Sequence, residues 1–105
     1  MQQEMWDELL DMAARGSLRE PCSVELLLES PRPWSGEWVS LFCMVRDATE
    51  AWVEVMGRRV ESLEVGKPLT LLFQASVLEE DITVWAVGSD HVARHQTVTI
   101  NPRWI

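Results

Sequence analysis

Apolar and polar residues alternate in short runs along most of this chain. Between Ser23 and Glu29, Val24, Leu26 and Leu28 occupy one phase, with Glu25 and Glu29 on the other. A period of two is what a strand with one buried face requires. The same alternation returns over 37–47, 51–56, 59–64, 69–77, 82–87 and 94–100. Its apolar phase holds Val39, Leu41, Cys43 and Val45, then Ala51, Val53 and Val55. It continues through Leu69, Leu71, Phe73 and Ala75, then Ile82, Val84 and Ala86, and ends in Val98 and Ile100. Turn residues separate the runs: Pro31, Pro33 and Gly36, then Asp47–Glu50, Gly57-Arg58, Gly66-Lys67-Pro68, Glu79-Glu80-Asp81 and Gly88-Ser89-Asp90. About seven short strands with no helical stretch between them predict an all-β fold, an antiparallel sandwich or small barrel, and exclude a βαβ arrangement.

The first twenty residues follow another period. Met5, Trp6, Leu9, Leu10 and Ala13 recur at helical spacing opposite Glu4, Asp7, Glu8 and Asp11, with Arg15 in the last turn and Gly16 after it. This predicts a short amphipathic helix whose charges match its dipole. Three turns of helix are marginal alone, so an ordered one must rest on something. The expected organisation is a helix and linker over 1–20 and a sandwich over 21–105.

The order of the β segments resembles immunoglobulin-like sandwiches of the kind found as adhesion or accessory domains in bacterial proteins. The resemblance rests on the long second strand through Cys43, the Gly66-Lys67-Pro68-Leu69-Thr70-Leu71 turn and strand, and Thr83-Val84-Trp85-Ala86-Val87. It covers about Ser23 to Pro102 and concerns architecture. An antibody-type domain pairs a cysteine of its second strand with one of its sixth; here Cys43 faces no such partner, and Cys22 precedes the first strand. Such domains host binding, linking and structural roles alike.

The aliphatic phase already supplies a two-layer core, so the large residues in the opposite phase are the informative ones. These are Trp38, Phe42 and Met44 on the second strand, Trp52 and Met56 on the third, Leu72 on the fifth, and Trp85 and Val87 on the sixth. An immunoglobulin-like order would place Trp52, Met56, Trp85 and Val87 in one outward patch. Trp38, Phe42, Met44 and Leu72 would form a second. Two alternatives stand beside this: the N-terminal helix covers one patch, or a slipped phase makes Trp52 or Trp85 a core indole. Trp6 would anchor the helix, and Trp104 lies in the tail. In the proline-stiffened loop, Arg32 and Trp34 either present a recognition tip or fold Trp34 back as a lid.

Composition sharpens the choice of partner. The chain has 105 residues, six tryptophans, no tyrosine and a formal net charge of −8. An acidic field repels phosphate backbones and anionic membranes, and no basic cluster offsets it. A protein with a basic surface, or a second copy of the chain, is the expected partner. No apolar run has membrane-spanning length, and the opening residues lack a secretory signal, so a cytoplasmic protein with Cys22 and Cys43 as free thiols is expected if Met1 is the native start. An oxidised Cys22–Cys43 pair is the alternative.

No enzyme signature appears. His91 and His95, with Asp90 and the sulfur of Cys43, Met44 or Met56, make a small copper- or zinc-binding protein one alternative, although no spacing draws them together. An uncharacterised small enzyme is the other. No cofactor is implied. The expected function is a non-catalytic protein interaction or assembly module. Its candidate interface residues are Trp38, Phe42, Met44, Trp52, Met56, Trp85, Arg32, Trp34 and Trp6.

Overall fold

A computed structural model describes residues 21–104. Seven antiparallel strands follow one another: β1 (Ser23–Leu28), β2 (Trp38–Arg46), β3 (Ala48–Val55), β4 (Arg58–Ser62), β5 (Leu69–Gln74), β6 (Glu80–Gly88) and β7 (Ala93–Ile100). They form two sheets, one of three strands in the order β1-β2-β5 and one of four in the order β4-β3-β6-β7. The third and sixth strands are neighbours in one sheet and the second and fifth in the other, as the immunoglobulin-like resemblance implied. The helix expected within 1–20, and Trp6 with it, lie outside the described residues.

The inward faces carry the aliphatic phase. Leu41, Val45, Val84 and Ala86 are wholly buried, and Val39, Ala51, Val53 and Ile82 nearly so. Leu26, Leu28, Val55, Leu69, Leu71, Phe73 and Val98 close the rim of this core. Among the described residues no indole enters it, so neither Trp52 nor Trp85 is a core residue.

Three local departures from the sequence expectation have physical causes. The residues expected to turn at 47–50 instead begin β3 at Ala48, and Asp47 alone, with φ of 57°, carries the chain from one sheet to the other. Aspartate tolerates the left-handed region, which makes a one-residue corner feasible. Glu80 and Asp81 belong to β6 rather than to a hairpin tip, paired with Ile100 and Thr99. The tight turn after β3 is Met56-Gly57, one residue earlier than its composition implied. Both residues have positive φ, 53° and 80°, as a two-residue type I′ hairpin demands.

β1 and β7 run in the same direction, so the sandwich has a proximal end where both begin and a distal end where both finish. At the distal end the 31–35 loop is clasped by the residues after β7. Asn101 donates to Pro31 O at 2.8 Å, Arg103 to Pro33 O at 2.7 Å, and Ser35 to Arg103 O at 2.8 Å. Pro33 and Pro102 are buried in this clasp. At the proximal end the chain reaches β1 through Cys22, packed beside Ala86 and the 88–92 turn. A side chain on Gly88 would come within 2.8 Å of the Asp90 carboxylate, which would have to shift to admit it.

Candidate interaction surfaces

The four-stranded sheet carries a row of π systems across its outer face. Register places Trp52 opposite Trp85, and Trp85 opposite His95. The two indoles lie 6.2 Å apart at 13°, and the His95 ring is 4.3 Å from Trp85. From edge strand β4, the Arg59 guanidinium sits 4.9 Å from the centre of the Trp52 ring. Glu54 joins the row from below, accepting from Trp85 Nε1 at 2.8 Å and from Trp52 Nε1 at 3.4 Å. Arg59 also reaches Glu50 at 3.6 Å and the Ser62 hydroxyl at 3.0 Å. Stacking and cation–π contact each favour such pairs. Trp52 and Trp85 face outward, yet each is half-buried by its neighbours. Met56 does not join them: it is exposed in the distal turn, and its Sδ accepts from the Asp81 amide.

The outer face of the three-stranded sheet is the barer of the two. Leu27 is 66% exposed, Trp38 64%, Leu72 62% and Phe42 43%. Leu27 stands directly opposite Phe42, which pairs with Thr70; one row further on Ser40 pairs with Leu72, then Trp38 with Gln74. Diagonal neighbours on one sheet face are within reach of long side chains. Leu27, Phe42, Leu72 and Trp38 therefore make one oblique apolar stripe. Half-buried Met44 extends it beside Glu25, which pairs with Arg46 at 3.9 Å. At the proximal end the stripe dips into a groove of about 310 Å³ lined by Glu25, Leu27, Phe42, Met44, Pro68 and Thr70, floored by Leu26, Cys43 and Leu69. Trp38, Phe42, Met44 and Leu72 are expected outward from the sequence; Leu27 joins them only in the structure. Its signal was present, an apolar residue in phase with Glu25 and Glu29.

The remaining candidates are dispersed. Trp34 is exposed at the distal end with the Arg103 guanidinium 4.5 Å above its ring, and Arg103 Nε donates to Arg32 O at 2.9 Å. The loop is thus held by the chain's own C-terminal residues rather than standing free as a tip, and Trp34 does not fold inward as a lid. His91 occupies the proximal turn, with φ of 63°, while His95 lies tilted against Trp85. Among the described residues, no three of His, Cys, Asp and Glu come together as metal ligands, which leaves the metal-binding alternative without support. Cys22 and Cys43 are unbridged and buried. Burial raises the pKa of the Cys43 thiol, which disfavours a nucleophile. Asp90 accepts from the Val92 amide at 3.1 Å and from Arg94 at 3.2 Å. The Val92 amide, and after it Arg94, hold its carboxyl below the usual range. Arg94 Nη1 in turn donates to Cys22 Sγ at 3.7 Å, tying the turn to the start of β1.

The residues thus define an all-β, two-sheet antiparallel sandwich of the immunoglobulin and fibronectin type III kind, carrying outward aromatic and aliphatic surfaces. No family model matches the chain, and no curated protein does. Among solved structures it is similar to the fibronectin(III)-like modules of CbhA from Clostridium thermocellum. That likeness has a TM-score of 0.61 at 18% identity and covers 78% of this chain and 98% of that one. At such identity the likeness establishes the fold.

Proposed function

We propose that this chain is a non-catalytic interaction module that holds a protein partner on the outer face of its three-stranded sheet. The carrying observation is the contiguous stripe of Leu27, Phe42, Leu72 and Trp38, all exposed on a face that no described segment covers. Contiguous apolar patches of roughly 300–600 Å² on a monomer commonly mark such surfaces. Tryptophan and phenylalanine belong to the residue types that concentrate binding energy at interface centres. The aromatic row on the opposite sheet is the lesser candidate, because its rings already stack on one another. Its role is to stiffen the four-stranded sheet.

A partner with an apolar centre and a basic rim matches the formal charge of −8 and the exposed Glu29 beside the stripe. Two copies of this chain would instead bring like charges together. The test compares native protein with Trp38→Ser and Leu72→Ser in affinity capture and in light scattering across concentration. Both side chains are exposed, so each variant should keep its circular dichroism spectrum. A complex held by the native chain and lost in both variants is the expected result. Complexes indifferent to both substitutions would remove the proposal, and concentration-dependent dimers lost in both would replace the basic partner with a second copy.

A further inference from the structure

The groove at the proximal end of the three-stranded sheet lies beside the point where residue 21 reaches the sandwich. β1 begins at Ser23, and its next outward side chains, Glu25 and Leu27, form one wall of the groove. The groove centre is thus within about 10–15 Å of Cys22 along the strand. Preceding it are twenty residues outside the described structure, whose sequence sets Met5, Trp6, Leu9, Leu10 and Ala13 on one helical face. We propose that this groove takes that apolar face from the same chain, so the N-terminal segment docks in cis over Leu27, Phe42 and Met44.

Length, tether and charge all favour this occupant. A helix over 5–15 would be about 16 Å long, enough to cross the Glu25–Met44 and Leu27–Phe42 rows. The six residues 16–21 can span up to about 20 Å, so the tether does not restrict which way the helix lies. A short flexible tether gives an effective concentration on the order of millimolar, which a separate molecule rarely matches. Arg46 and Lys67 stand at the same end of the sheet, more than half exposed, although each already faces one carboxylate of the sandwich, Glu25 and Glu64. They complement Glu4, Asp7, Glu8 and Asp11 on the segment's polar face. The aromatic row offers no comparable seat, because its indoles are covered by Arg59 and His95. Leu72 and Trp38 do not line the groove, so docking of the segment narrows the partner surface proposed above to that end of the stripe.

The methionines supply the probes. Met5 belongs to the segment, Met44 lines the groove, and Met56 lies in the turn at the opposite end of the sandwich from the groove. In full-length protein labelled on methionine methyls, nuclear Overhauser contacts from Met5 to Met44 and to the Phe42 ring are expected. They should persist on dilution and be absent between separately labelled chains. Leu9→Asp, which alters no residue of the sandwich itself, should abolish them and move the Met44 methyl while leaving Met56 in place. Leu27→Asp, at a 66% exposed position, should do the same from the groove side. Absence of the contacts in native protein, contacts only between chains, or a Met44 methyl indifferent to both variants would each overturn the proposal. Capture of a partner through Trp38 and Leu72 is measured independently of every one of these readings.

Discussion

Glu54 decides what kind of surface Trp52 and Trp85 make. Its two oxygens accept both indole N–H groups, so the rings stand in fixed register rather than lying free on the sheet. Glu54→Ala should cost about 1–2 kcal/mol, two partly exposed hydrogen bonds to a charged acceptor, and weaken the exciton coupling between the indoles in circular dichroism. An unchanged couplet would show that stacking alone sets the row. The outward phase of both tryptophans was legible in the sequence, because Ala51, Val53, Val84 and Ala86 fill the inward phase without gaps. The double acceptance by Glu54 was not legible, since it depends on the register between β3 and β6. Asp90 makes a second prediction at this scale. Its carboxyl is held low by the Val92 amide, so its contribution is complete above the unfolded value of about 4 and lost as pH falls through the lower folded value. Asp90→Asn should therefore flatten the loss of stability in acid, measured by chemical denaturation across pH. For the thiols, neither Cys22 nor Cys43 should react with iodoacetamide in native protein, and labelling should follow the rate of opening.

At the scale of elements, hydrophobic alternation found every strand and misplaced several of their ends. Alternation reports which face is buried, whereas a strand end is set by backbone conformation, which side chains encode weakly. Asp47 alone makes the corner where four turn-like residues pointed to a longer one. Glu80 and Asp81 look like a tip by charge, yet they pair across to β7, and the Thr99 hydroxyl donates to the Asp81 carboxylate at 2.7 Å. The Met56-Gly57 turn yields a prediction. A methionine at φ of 53° occupies a conformation that costs an L residue about 1 kcal/mol, and a type I′ turn favours Asn-Gly. Met56→Asn should stabilise the protein by about 0.5–1 kcal/mol, partly offset by loss of the sulfur contact with the Asp81 amide. A lower denaturation midpoint would show that this contact outweighs the backbone strain.

At the scale of the molecule, the two outer faces differ in kind although both carry large apolar residues. One is a self-satisfied aromatic row; the other is an open stripe. The sequence marked both as outward, but composition could not rank them, because Trp38 and Trp52 look alike until cross-strand neighbours are known. Among the described residues the core between the faces is mainly aliphatic and holds no indole, so it is sensitive to volume. Leu41→Ala, at a wholly buried site, should lower stability by about 2–5 kcal/mol in equilibrium unfolding. Trp38→Ser on the stripe should change it by less than about 0.5 kcal/mol. The clasp at the distal end bears on how the fold would answer tension. β1 begins at one end of the sandwich and the residues after β7 leave from the other, so a pull on both termini runs along the strands rather than across them. Hydrogen bonds along β1–β2 and β6–β7 would then be loaded together in shear instead of opening one by one. The Pro31–Ser35 clasp also ties the end of the first strand to the departing C-terminal residues, so that neither terminal strand peels without the other. In a chain of such units, this module would behave as a stiff link.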